Sequence, residues 1–168
     1  MADDQRDFEG ELQAAWPALV RSATVLCRSA ADVEDVVQET MMQAYRAYPG
    51  FRGESAFLTW AYVILARVAS KANRRALRDQ NLPAFQAEAL PPVDAGIVKD
   101  ETARRVIDAI RRLPERQREM MTLHFLDERP YREIAQALGV SEGTVKSTIH
   151  SAKQSLRAAL ARDETEEP

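Results

Sequence analysis

The chain has 168 residues, 45% hydrophobic and 29% charged, enough for one medium domain or two small ones with real cores. A formal charge of −3 excludes a protein that holds nucleic acid through bulk positive charge. No apolar run approaches the roughly 18 residues needed to span a bilayer, and the single cysteine, Cys27, excludes an internal disulfide. The opening MADDQRDFEGEL is acidic where a signal peptide is basic and then apolar. These features lead us to expect a cytoplasmic protein with Cys27 as a buried structural thiol.

Strand signals are almost absent, with no sustained period-two alternation and no Asn-Gly or Asp-Gly hairpin. Helical periodicity runs through the chain instead, so the expected class is all-α. Phe8, Leu12, Trp16, Leu19, Ala23 and Leu26 recur on one face of the first segment, and Pro17 predicts a break or kink there, opening a new helix. Ser29, three residues before Asp32, suits the start of the next helix. Val33, Val37, Met41, Ala44 and Tyr48 give that helix a buried stripe, and Pro49-Gly50 ends it. A different face carries Asp35, Gln38, Glu39 and Met42. A Met among acids is unsuited to DNA and points to a protein partner.

PGFRGES reads as a loop, followed by a long helix from about Phe57 to Arg78. Arg67, Lys71, Arg74 and Arg78 fall at i, i+4, i+7 and i+11, one stripe about three turns long, with Arg75 beside it. A merely solvated helix would mix signs, since opposite charges at i, i+4 stabilise it. Aligned like charges call for an external anion. Phe51, Phe57, Trp60 and Tyr62 precede the stripe. Core packing accounts for such aromatics in most helices, but beside a basic stripe they can hold unstacked bases.

Residues 81–100 contain Pro83, Pro91, Pro92 and Gly96 and lack periodicity, as a linker would. Further helices are predicted over about 101–112, 115–126, 131–138 and 142–160, with Pro114 and Pro130 at helix starts. The tail DETEEP, residues 163–168, is expected to be disordered. In YREIAQALGVSEGTVKSTIHSAKQSL, Ile134, Ala135 and Leu138 form one apolar face, Gly139 permits a left-handed turn, and Ser141 caps the next helix. That helix commits Val145, Ile149, Ala152, Leu156 and Leu160 to the core. Lys146, His150, Lys153 and Arg157 lie on a different face, with Ser147 and Ser151 beside them. Two helices, a tight turn and a polar, basic second helix describe a helix-turn-helix. The alternative is a structural helical hairpin with a solvated face.

The blocks DVEDVVQETMMQAYRAYPGFRGESAFLTWAYVILARVASKANRR and LPERQREMMTLHFLDERPYREIAQALGVSEGTVKSTIHSAKQSL resemble regions 2 and 4 of the extracytoplasmic-function (ECF) sigma factors of bacterial RNA polymerase, which belong to the sigma-70 family. They stand in the family order, with a short linker in place of the central domain of primary sigma factors.

The resemblance implies two small helical domains, residues 1–80 for region 2 and 101–162 for region 4, joined by the linker 81–100. It implies binding to core polymerase, through the β′ clamp helices and the β flap, and to promoter DNA. Asp35, Gln38, Glu39 and Met42 would meet the clamp. Phe51, in its loop, would hold a flipped base of the −10 element, and Trp60, Tyr62, Arg67, Lys71, Arg74, Arg75 and Arg78 would face the opening strands. Thr144, Lys146, Ser147, His150 and Ser151 would meet the −35 element, with Lys153 and Arg157 on its backbone. An anti-sigma partner is implied as well.

No catalytic signature competes with this reading. The sequence shows no glycine-rich phosphate loop, no HExxH and no nucleophile elbow, so no enzyme activity, cofactor or metal is expected. His124 reads as a partly buried histidine rather than a ligand. The rival from another class is a stand-alone two-domain helix-turn-helix regulator that binds its operator unaided.

Overall fold

The computed structural model describes the backbone of residues 2–29, 31–79 and 101–166, with side chains over 8–29, 31–76, 78 and 105–161. Among these residues there are seven α-helices and no strand: α1 Ala2–Leu26, α2 Ala31–Ala47, α3 Phe57–Asp79, α4 Glu101–Arg111, α5 Glu115–Met121, α6 Tyr131–Leu138 and α7 Glu142–Glu166. The chain divides into two compact units, Met1–Asn81 and Leu82–Pro168. The linker expected over 81–100 lies outside the described residues.

In the first unit, α1 and α2 pack on α3 and on each other. Phe8, Leu19, Ala23, Val25 and Leu26 from α1, Val36, Val37 and Ala44 from α2, and Phe57, Ala61, Leu65 and Ala69 from α3 are buried together with Cys27. The α1 expectation needs two corrections. The helix runs unbroken through Pro17. Pro17 sits on its exposed side, where water can satisfy the carbonyl left without an amide partner, so one lost hydrogen bond does not end the helix. Trp16, assigned to the apolar face, is among the exposed large hydrophobics, and Ala15 takes the buried position beside it.

Asn73 is a buried polar residue in α3. Its Nδ2 donates to the Leu26 carbonyl at 2.9 Å, and its Oδ1 accepts from the Arg28 N–H at 2.9 Å. One side chain thus satisfies two backbone groups at the C-terminal end of α1, where helix carbonyls lose their own partners. Leucine at Asn73 would leave a carbonyl and an N–H without these bonds. It is expected to destabilise the first unit by about 2–4 kcal/mol, read as a lower urea midpoint at an unchanged m-value.

In the second unit, α4, α5 and α6 each pack on α7. Arg118 of α5 is buried and donates from Nη1 to the Arg111 carbonyl at 3.0 Å, tying α5 to the end of α4. Burial pushes the Glu119 carboxyl above the usual range, against the lowering pull of Arg116 at 3.4 Å. After Met121 the helix widens into a π turn over Thr122–Leu126, closed by the Asp127 N–H on the Thr122 carbonyl at 3.2 Å. The α7 helix continues to Glu166, so residues 163–166, expected to be disordered, are helical. Acidic residues do not oppose helix formation here because the preceding turns already supply the nucleus.

Candidate functional site

The turn between α6 and α7 is built as its sequence dictates. Gly139 adopts φ 63° and ψ 39°, the left-handed conformation that costs glycine nothing. Its N–H donates to the Gln136 carbonyl at 3.4 Å and the Val140 N–H to the Ala135 carbonyl at 3.0 Å, the paired bonds of a Schellman ending. Ser141 then caps α7, its Oγ accepting from the Thr144 N–H at 3.0 Å and lying 2.9 Å from the Thr144 hydroxyl.

Val145, Ile149, Ala152 and Leu156 are buried, as their spacing requires. The same periodicity turns Thr144, Lys146, Ser147, His150, Ser151 and Arg157 to the surface. Ser147 Oγ donates to the Thr144 carbonyl at 3.0 Å. His150 Nε2 lies 3.2 Å from Gln154 Nε2, and Ser151 Oγ accepts from Gln117 Nε2 of α5 at 3.4 Å. Lys153 is half-buried, its Nζ 5.1 Å from the centre of the Phe125 ring. Phe125, 46% exposed, escaped the sequence reading. His124 is half-buried between Phe125 and Tyr131, ring centres 4.7 and 4.8 Å away, with Nδ1 3.2 Å from the Arg129 carbonyl.

On α3, the buried positions Leu65, Ala66, Ala69 and Asn73 interleave with Arg67, Lys71, Arg74 and Arg78. The basic residues, with Arg75, are all exposed. The aromatics divide. Phe51 and Trp60 are half-buried neighbours with ring centres 4.9 Å apart, and Tyr48 stacks on Phe51 at 5.9 Å. Phe57 and Tyr62 are buried, Tyr62 completely. Tyr62 therefore leaves the DNA-facing group. Two residues advance a helix by about 200°, so Tyr62 falls on the side opposite the half-buried Trp60, in the core. Gly53, in the loop after Phe51, takes φ 68°.

On α2, Asp35, Gln38 and Met42 are exposed and Glu39 is half-buried, away from the buried Val36, Val37, Thr40 and Ala44. Gln38 donates to Glu34 at 3.3 Å and Gln43 to Glu39 at 2.7 Å. Met42 is 48% exposed and Tyr45, three residues on, 53%. Tyr45 extends this face; its i+3 spacing from Met42 was the signal available in the sequence.

Residues 12–80 match the family described as Sigma-70 region 2, and residues 103–156 match Sigma-70, region 4. The RNA polymerase sigma-H factor of Pseudomonas aeruginosa is 34% identical over 143 residues, covering 78% of this chain and 74% of that protein. The chain belongs to the sigma-70 family. The ECF RNA polymerase sigma-E factor of Haemophilus influenzae is 36% identical over 135 residues, covering 73% of this chain and 71% of the relative. Within the family, the chain is an ECF sigma factor. The sigma factor RpoE, solved in complex with the anti-sigma factor NepR from Bartonella quintana, superposes with a TM-score of 0.78 at 27% identity, covering 93% of this chain and 98% of that one. CnrH, solved with the cytosolic domain of CnrY, gives a TM-score of 0.71 at 25% identity, covering 95% and 90%.

As an alternative sigma factor the chain binds core RNA polymerase and promoter DNA and directs transcription initiation. Both sigma regions, in family order on one chain, disfavour the stand-alone regulator. No helix among the described residues is long and apolar enough to cross a membrane.

Proposed function

We propose that this sigma factor divides its work among three surfaces and performs no catalysis of its own. Residues 1–80 act as region 2: Asp35, Gln38, Glu39 and Met42, extended by Tyr45, dock on the β′ clamp helices. Phe51 and Trp60 receive bases of the −10 element, while Arg67, Lys71, Arg74, Arg75 and Arg78 follow the separating strands. Residues 101–162 act as region 4, engaging the β flap and reading the −35 element through α7, with 81–100 as the connection. The work takes place in the cytoplasm, where the polymerase is.

The observation that carries the −35 assignment is the exposed polar side of a capped α7 whose opposite side is sealed in the core. Thr144, Ser147, His150 and Ser151 are its base readers, Lys153 and Arg157 its phosphate contacts, and Lys146 fits either role. The test is a randomised −35 library transcribed by holoenzyme. His150→Ala is expected to change which sequences are preferred, by roughly 1–3 kcal/mol per lost contact. Lys153→Ala is expected to weaken all promoters alike and to lower the salt dependence. If both variants keep the wild-type preference and lose activity equally, α7 touches only backbone.

An anti-sigma factor is the regulatory partner we propose. RpoE in its solved complex is bound by one, and this chain shares its fold.

A further inference from the structure

We propose that Gln117 and Gln154 are positioning residues that set the hydrogen-bond polarity of the recognition face, making Ser151 and His150 donors that select acceptor-bearing base edges. This rests on the reading of α7 as the −35 helix. Gln117 reaches Ser151 from α5, 34 positions away in the chain. Its amide nitrogen is the end that meets the serine, and its oxygen is buried without a hydrogen-bond partner, a place that a carbonyl tolerates better than an NH2 group. An amide nitrogen only donates, so Ser151 Oγ accepts from it and keeps its own proton for a partner outside the protein. The same logic holds one residue earlier. Gln154 Nε2 lies 3.2 Å from His150 Nε2; an amide nitrogen only donates, so the ring nitrogen is the acceptor in this contact and the ring's proton sits on Nδ1, the other edge.

Ser147 has the opposite polarity. Its proton is given to the Thr144 carbonyl at 3.0 Å, which leaves lone pairs outward. The exposed face therefore offers an acceptor at Ser147 and, one turn on, donors at His150 and Ser151. In the major groove, guanine presents N7 and O6, thymine O4 and adenine N7 as acceptors, whereas the amino groups of adenine and cytosine donate, so cytosine alone offers a donor and no acceptor. The contacted strand is expected to exclude cytosine opposite His150 and Ser151, and to carry adenine or cytosine opposite Ser147.

Neither glutamine needs to touch DNA for this, so a purely structural role predicts something different: uniform loss of activity without a change of preferred bases. The experiment is a randomised −35 library transcribed by holoenzyme carrying Gln117→Glu or Gln154→Met, with Ser151→Ala and His150→Ala alongside. Glutamate at 117 accepts the Ser151 proton and turns its oxygen into an outward acceptor. At that one position, preference is expected to move from guanine or thymine toward cytosine, by about fivefold or more. Gln154→Met, at an exposed site where folding is not at stake, is expected to broaden preference at the His150 position alone. The proposal is overturned if both glutamine variants retain the wild-type preferences while Ser151→Ala and His150→Ala change them. If the alanine variants also leave every position unchanged, base reading by α7 falls with it.

Discussion

Replacing Asp35 and Glu39 together by lysine is expected to abolish binding to core RNA polymerase while leaving helical content by circular dichroism unchanged. Neither side chain belongs to the core: Asp35 is exposed and Glu39 half-buried, and α2 is held by Val36, Val37, Thr40 and Ala44 on its inner side. The fold loses the Gln43–Glu39 hydrogen bond of 2.7 Å, a surface i, i+4 pair worth a few tenths of a kcal/mol. A partner matched to the acidic face suffers much more, because each substitution removes an attraction and adds a repulsion at the same place. Like charges brought together at an interface cost several kcal/mol. A combined loss of at least about 3 kcal/mol corresponds to a Kd raised roughly 100-fold. Titration of labelled sigma factor with core polymerase reads this directly, and unchanged affinity would remove the α2 face from the contact.

The second large effect is expected at Phe51. Phe51→Ala should allow closed complexes to form yet impair strand opening, because base–aromatic stacking is worth roughly 1–3 kcal/mol per base. Permanganate reactivity of unpaired thymines at the −10 element is the measurement, and a variant that opens promoters normally would take Phe51 out of this role. Packing complicates the alanine substitution, since Phe51 contacts Trp60 at 4.9 Å, Tyr48 at 5.9 Å and Phe57 at 6.0 Å between ring centres. Phe51→Leu separates the two effects. It keeps most of the apolar volume in the cluster but has no π face for a base, so it should retain stability and still open poorly.

The second unit was the more legible part of the chain because its signals are local. Gly139, Ser141 and the run Val145, Ile149, Ala152, Leu156 act through bonds and periodicities spanning four or five residues at a time, and each appears in place. The exposure of Arg67, Lys71, Arg74 and Arg78 followed from the same arithmetic. Phe125 was not legible: it falls inside the helix predicted over about 115–126, and only the end of α5 at Met121 and the π turn after it place the ring at the surface, beside Lys153. Tyr62 failed for a related reason. It was grouped with Trp60 by nearness in sequence, whereas the helix sends the two rings to different sides.

By itself, the sequence determined the all-α class, the helix-turn-helix with its capped second helix, the basic stripe of α3 and the acidic face of α2. Each follows from backbone geometry acting on residue types a few positions apart. Only the tertiary structure decided that α1 runs through Pro17, that Trp16 is exposed while Ala15 is buried, that Asn73 closes the end of α1 from 45 and 47 residues away, and that Gln117 of α5 meets Ser151 of α7. Pro17 is tolerated because its side of α1 faces water; the other three share one physical reason. Periodicity states which side of a helix is apolar, but which residue is covered, and which polar atom finds a partner, depends on a second helix distant in the chain.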